Sequence, residues 1–475
     1  MKSPHFFFTA ISLLTFLCRP VTGQAQLLPY ESIGEKAEAL IQQYIDLDLF
    51  SGVVLIAHGS EPFYRGAYGL ADRETERANT LETLFDIGSM NKTFTTIAIH
   101  RLVDEGKLAL DDHLTDYVSG FRDPRVAEVT IRQLLHHESG FTEYHSPDFF
   151  DAPSEEKTLA AIVDRIRQLP LAFDPGTGQE YSNAGYVLLG AVIEAVSGQR
   201  YADYIQATIV DPMELEHTYV QDLERVRDRQ AIGYFRNSLG ELFDNQYFTD
   251  EPNPDGGFLS TAADILRFYR AYFYGNQLRS AASKKGDPFF EFLEPLKDEP
   301  GRATGMAGGF EGANTALFFV PSMDVAIVVF ANMDEPVAEN IASGILAIIK
   351  GETPEPPARP AVQNAYQAYA EHGVDYLREH FDELTTNFHP DDPRDFILNM
   401  VGYDLLFADR IDDAIAIFQL NTELFPDVAN TYDSLAEAWL KKGDRAKALA
   451  LYRQALEINP DLPSARQMVD ELEKK

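Results

Sequence analysis

Leu84-Phe-Asp-Ile-Gly-Ser89-Met-Asn-Lys92 joins a strand-like stretch, Leu84 to Gly88, to a mostly apolar run, Phe94 to Leu102, with Ser-x-x-Lys at the junction. The run reads as a helix buried on most faces. Residues three apart on a helix share a face, so the Lys92 amine can reach the Ser89 hydroxyl one turn earlier and help remove its proton. Burial would lower a lysine from its reference pKa of about 10.4 toward neutrality, leaving a free amine as base. The helix N-terminus would favour the developing alkoxide. The alternative is a capping serine beside a solvated lysine.

Ser-x-x-Lys alone is weak evidence, because about two matches are expected by chance in a chain of this length. The second match, Ser154-Glu-Glu-Lys157, follows a proline in a polar stretch and reads as a helix cap with acidic first-turn residues. Tyr-x-Asn also occurs twice. Tyr274-Gly-Asn276 ends a tyrosine-rich helix, with Gly275 as its cap. Tyr181-Ser-Asn183 instead lies between the turn Asp174-Pro-Gly-Thr-Gly178 and the apolar run Tyr186 to Val196, where a loop aims side chains into a cleft. A phenolate beside a lysine suits a general base, and the Asn183 amide suits holding a substrate carbonyl. There is no G-x-S-x-G elbow, and no H-E-x-x-H or similar arrangement for zinc. His136-His137 is not a metal motif, so no metal or cofactor is expected.

The 475 residues, 45% hydrophobic and 12% aromatic, suffice for two or three domains with a large core. With 75 acidic against 40 basic residues, nucleic acid would be repelled, so it is not an expected partner. Lys2, the apolar run Phe6 to Cys18 and the small residues at Gly23 and Ala25 read as a signal peptide over residues 1–23, implying a secreted or periplasmic protein. A run of about 13 residues is short of the ~20 that span a bilayer, so no stable membrane span is expected. Cys18 is the single cysteine. Cleavage would leave no disulfide, thiol nucleophile or Cys-ligated zinc.

Residues 27–350 alternate strand-like runs (Val53 to Ile56, Thr315 to Val320, Val325 to Phe330) with amphipathic helical stretches, as an α/β or α+β domain would. Residues 351–361 hold four prolines and read as a stiff linker. Beyond it the chain reads as helical and repeats at a period of 34: Ala414 recurs as Ala448, Phe418 as Tyr452 and Pro426 as Pro460. These are tetratricopeptide-like positions. Ala436 and Ala448 let paired helices approach, while Tyr432, Trp439 and Tyr452 fill between them. Residues 362–475 are therefore expected to form a helical repeat domain, with helices in 362–390 and 464–474 completing the stack. It serves either as a stabilising appendage or as a concave surface for a protein partner.

The first domain resembles the serine β-lactamase-like family of class C β-lactamases, D-Ala-D-Ala carboxypeptidases and related esterases. Besides Ser89-x-x-Lys92 and Tyr181-x-Asn183, it carries Thr130-Ile-Arg-Gln-Leu-Leu-His-His-Glu-Ser-Gly140, Pro175-Gly176, Leu188-Leu-Gly190, Ser197-Gly198 and Gly256-Gly-Phe-Leu-Ser-Thr-Ala-Ala-Asp264 in the expected order. The resemblance implies an α+β fold, an antiparallel sheet flanked by helices plus an all-helical domain, here followed by the all-α repeats. By position, Ser89 would form an acyl-enzyme, Lys92 and Tyr181 would handle its proton and activate water, and Asn183 would orient substrate. His137 would have a structural hydrogen-bonding role.

The third family motif, Lys-Thr-Gly or His-x-Gly, is where this sequence departs. Counting back from Pro321 places it at Met306-Ala-Gly308-Gly309, and a slipped alignment at Ala303-Thr-Gly305. Neither supplies lysine or histidine, though Arg302 precedes both. Ser89 and Gly309 still offer backbone N–H groups for an oxyanion hole, which needs no side chain. What is missing is the group that meets a substrate carboxylate, which β-lactams and D-Ala-D-Ala stems both present. The sequence therefore points to a serine hydrolase for esters, small amides or peptides, esterase-like or D-aminopeptidase/carboxypeptidase-like, with doubtful β-lactamase activity. The competing reading is a catalytically weak module that binds cell-wall fragments or a protein partner.

Overall fold

The computed structural model describes residues 29–150, 152–245, 251–334, 336–387 and 393–474. The expected signal peptide lies outside them. Among the described residues the chain divides into two compact units, one within 29–235 and 244–356, the other within 236–243 and 357–474.

In the first unit, strands β1 (Gly52–His58), β2 (Glu61–Tyr68), β3 (Thr304–Phe310), β4 (Ala313–Val320) and β5 (Val325–Ala331) form one sheet. Its order is β2-β1-β5-β4-β3, with every neighbour antiparallel. β4 and β5 are buried at every position, which is why they read as unbroken apolar runs rather than as alternating strands. Five helices matter to the site and its support: α1 (Tyr30–Asp46), α2 (Lys92–Asp104), α3 (Asn183–Ser197), α4 (Ala262–Tyr274) and α5 (Val337–Ile349). Val53, Leu55, Leu317, Phe319, Val328 and Phe330 join the core that contains Phe94 of α2 and Phe268 of α4, whose rings stack at 3.8 Å. The alternate residues Val54, Ile56, Ile327 and Val329 are equally buried, and α5 packs on β4, β5 and α1. Strand side chains alternate between faces, so burial of both sets means a sheet covered on both sides.

The nucleophile segment is built from short-range geometry. Phe85 and Asp86 pair with Ser260 and Leu259, and Ile87 N–H donates to Phe258 O at 2.9 Å. Gly88 then turns the chain at φ +48°, a left-handed conformation that only glycine adopts without strain. A 3-10 turn, Gly88–Asn91, leads into α2, whose first residue is Lys92. Strand β3 presses directly on this turn: a Cβ added at Gly308 would collide with Ile87 O and lie 2.6 Å from Ser89 N. Thr315 of β4 ties the contact together, its Oγ1 donating to Gly308 O at 2.9 Å and lying 3.3 Å from Ile87 O.

The other Ser-x-x-Lys, Ser154–Lys157, is a 3-10 turn with no side-chain cap. Ser154 is the first residue of that turn, and Pro153 stands at the cap position. Thr158 caps the helix that follows, accepting from Ala161 N. Gly275 does end α4, its N–H donating to Ala271 O at 3.0 Å.

The second unit is helical: Ala361–His372, Val374–Leu384, Asp395–Phe407, Ile411–Leu424, Ala429–Lys442, Arg445–Ile458 and Pro463–Glu473. Consecutive members of the last four pack on one another. Ala436 and Ala448 are fully buried, with Tyr452 among them and Tyr432 and Trp439 packed against the cluster. Residues 236–243 belong to this unit, where Ser238 donates through both N and Oγ to Asp404 Oδ2 at 2.7 Å.

Two predictions follow from the turn. Gly308→Ala places a methyl against backbone that cannot rotate away, so a loss of about 1–3 kcal/mol is expected; a melting temperature equal to wild type would show that β3 does not approach so closely. Asp86 is the second case. Burial pushes its carboxyl up to about 7 against the opposing pull of the Gly88 and Gly257 N–H groups. Because the folded pKa is raised, its stabilising contribution is present below the unfolded value and is lost as pH rises through about 7. Asp86→Asn, which mimics the neutral acid, is expected to gain melting temperature relative to wild type between pH 5 and 8; a constant difference would contradict this.

Candidate active site

Ser89 Oγ is half-buried and receives two hydrogen bonds, from Lys92 Nζ at 2.9 Å and from Tyr181 OH at 2.6 Å. The i, i+3 spacing across the 3-10 turn places lysine over serine, as on a helix. Lys92 is 6% exposed, and its Nζ also donates to Asp255 O at 2.6 Å. It lies 5.1 Å from the Tyr181 ring centroid and 5.8 Å from that of Tyr186. A buried amine nitrogen is tolerable only with such partners. Asp255 went unnoticed in the sequence because it acts here through its carbonyl, which leaves no side-chain signature beyond its place before Gly256-Gly257. Its own carboxylate accepts from Tyr144 OH at 2.8 Å.

Tyr181 is held by the segment Thr130–Gly140. Thr130 and Gln133 form a capping box at the start of the helix Ile131–Leu135. His137 follows at φ +59°, and its Nδ1 accepts from Ser182 N at 3.1 Å while its ring stacks on Tyr181 at 4.7 Å. Main-chain bonds from Gly176 N to Glu138 O and from Glu180 N to His137 O strap the tyrosine loop to the same segment. Burial, then the nearby Lys92 charge, lowers the His137 imidazole to about 3, so the ring is neutral and acts as an acceptor. Ser182 caps α3 by accepting from Gly185 N at 3.0 Å, which fixes the start of the helix at Asn183.

Asn183 Nδ2 donates to Glu143 Oε2 at 2.6 Å. Glu143 was not singled out in the sequence, where it is a lone acid three residues past Gly140. Its other oxygen accepts from Tyr144 N at 2.8 Å and His145 N at 3.2 Å, with His145 Nδ1 at 2.8 Å. Burial pushes this carboxyl up, but the bonds and charge of His145 and the Asn183 amide outweigh it and hold it at about 2. Glu143 is therefore an anion at neutral pH.

On the opposite side of Ser89 stands β3. Its register sets Met306 opposite Leu317 and Gly308 opposite Thr315, so Met306 and Gly308 share a face while Gly309 follows against the turn. A Cβ on Gly88 would lie 2.5 Å from Gly309 N. Met306 is half-buried against the core. Arg302 pairs with Glu299 at 2.5 Å. No group of three or more metal-ligating side chains occurs among the described residues.

The chain is similar to known proteins. The Beta-lactamase family profile matches residues 37–348. Penicillin-binding protein 4* of Bacillus subtilis is 29% identical over 363 residues, 70% of this chain and 77% of that protein. The teichoic acid D-alanine hydrolase of Staphylococcus aureus is 29% identical over 227 residues, 47% of this chain and 55% of that protein. The solved penicillin binding protein from Bacillus halodurans superposes with a TM-score of 0.56 at 27% identity, covering 65% of this chain and 99% of that one. The chain thus belongs to the beta-lactamase family and is an enzyme of its serine-hydrolase type.

Proposed function

We propose that the chain is a secreted or periplasmic hydrolase that cleaves esters or small amides through an acyl-enzyme on Ser89. The observation that carries this reading is the pair of hydrogen bonds on Ser89 Oγ from Lys92 and Tyr181. A serine hydrogen-bonded to both an amine nitrogen and a phenol has two groups within proton-transfer reach, the arrangement nucleophilic catalysis needs. In acylation, Ser89 Oγ attacks the carbonyl, its proton passes through Lys92 and Tyr181 to the leaving alcohol or amine, and that group departs. Water, activated by the same pair, then hydrolyses the ester and restores Ser89. The developing oxyanion is met by the Ser89 and Gly309 N–H groups, which need no side chain. The approach of Gly88 to Gly309 N supports this pairing.

The substrate preference is argued from Met306. It stands two residues before the glycine that abuts Ser89, where the family resemblance leads one to expect lysine or histidine. A thioether offers no charge to a substrate carboxylate, so neutral or cationic substrates are favoured over β-lactams. Lys2 and the apolar run Phe6 to Cys18 support secretion; no described helix is long and apolar enough to cross a membrane. For residues 362–475 we infer tetratricopeptide-like repeats behind a linker at 351–361. The helix starts at Ile411 and Arg445, and those at Ala429 and Pro463, are each 34 apart, matching the sequence period.

Intact-mass spectrometry of the mature protein with a fluorophosphonate, a nitrophenyl ester and a penicillin tests the reading. A Ser89-dependent adduct and ester burst are expected, both lost in Ser89→Ala, with the penicillin reacting much more slowly. Tyr181→Phe should reduce ester turnover by about 10²–10⁴-fold. Folded protein that forms no adduct with any probe would sink the proposal.

A further inference from the structure

The polar group nearest in the chain's own contacts to the substrate-orienting amide is an acid. Glu143 Oε1 is fully engaged by the backbone of Tyr144 and His145 and by the His145 ring, so the carboxylate is locked in place. Oε2 is turned to Asn183, and at 42% exposure the side chain remains open to a ligand. Because Asn183 commits an N–H to Glu143, its amide oxygen faces away from the carboxylate. The two side chains together present an anionic oxygen and a neutral carbonyl oxygen, a pair suited to an N–H-rich cation.

Across the site the position that would carry a cation holds Met306, and Arg302 is paired with Glu299. Lys92 Nζ is committed to Ser89 and Asp255. A substrate carboxylate finds no partner in this set, whereas a substrate ammonium finds Glu143. The match to a teichoic acid D-alanine hydrolase, a protein named for releasing an amino acid, is compatible with that charge pattern.

We propose that Glu143, assisted by the Asn183 amide oxygen, binds the free ammonium group of the acyl part of the substrate, making the enzyme selective for esters and amides of unblocked amino acids. This rests on the acyl-enzyme reading of Ser89. Attack on such an ester forms an aminoacyl-Ser89 ester and releases the alcohol with a proton; water then cleaves the aminoacyl ester, giving the free amino acid and the serine hydroxyl. An α-amino group with a pKa of about 7.7–8.0 is mostly protonated at pH 7 and forms the charge-assisted pair. Acetylation removes that charge.

The test compares kcat/KM for alanine methyl ester, as each enantiomer, with that for the matching N-acetylalanine methyl ester at pH 7, in the full mature chain. At least one enantiomer is expected to be favoured over its acetylated partner by tenfold or more. Glu143→Gln, which keeps an oxygen for Asn183 but loses the charge, should reduce that ratio at least tenfold. Glu143→Asp, which keeps the charge, should retain most of it, and melting curves identify any variant that fails to fold. A wild-type ratio near one, or a ratio that Glu143→Gln leaves intact, overturns the proposal. If the acetylated ester is still cleaved in a Ser89-dependent way, the hydrolase reading survives that result. If neither ester is cleaved and a fluorophosphonate leaves Ser89 unlabelled, both fall.

Discussion

The close approach of the Gly308 backbone to the turn carrying Ser89 is the constraint on which the site depends. Two segments more than two hundred residues apart in sequence meet there without an intervening side chain, and Gly88 and Gly308 are what let them do so. The distance is set from behind by Thr315, which bonds to Gly308 O from the adjacent strand. That strand is in turn buried at every position between β3 and β5. Rigidity at the nucleophile is therefore inherited from the sheet. A preorganised pair of backbone donors costs no reorganisation when charge develops, which is why such a site is anchored to a strand and not to a free loop.

The opposite wall is organised differently. Tyr181 lies on a loop, and its place is enforced by His137, which accepts from the neighbouring Ser182 N–H and stacks on the phenol ring. A charged imidazole could not accept that bond. Burial, then the neighbouring Lys92, keeps it neutral, so the lysine bonded to Ser89 also maintains the acceptor that positions Tyr181. This gives a physical meaning to the segment Thr130–Gly140: it is a bracket for the tyrosine loop, built of a capping box, a left-handed residue and two main-chain straps.

How much of this was legible in the sequence depended on how local each interaction is. Ser89 and Lys92 meet because of a three-residue spacing, and the apolar run behind them marked burial. Strands β1, β4 and β5 announced themselves as unbroken apolar runs because both faces are covered. Counting back from Pro321 through Thr315 to Val320 offers Met306-Ala-Gly308-Gly309 with Ala303-Thr-Gly305 as the alternative, and the observed pairing sets Met306 opposite Leu317 and Gly308 opposite Thr315. The 3-10 geometry of Gly88–Asn91 was not legible, since a spacing of three fits either helix type. Nor was the membership of residues 236–243 in the helical unit, which rests on the bonds of Ser238 to Asp404, 166 positions away.

Asp255 and Glu143 show the other limit. The first contributes a carbonyl, and every residue has one, so composition carries no trace of it. The second is one of 75 acids in a chain with a large negative excess, and nothing in its neighbours distinguishes it. What sets it apart is three-dimensional: one oxygen saturated by its own loop, the other directed at the asparagine two residues past Tyr181. Catalytic chemistry is conferred by groups whose spacing along the chain is short and stereotyped, and so it can be read from a line of text. A loop acid has no such stereotyped spacing, so the charge of Glu143 takes on meaning only once its bond to Asn183 is seen.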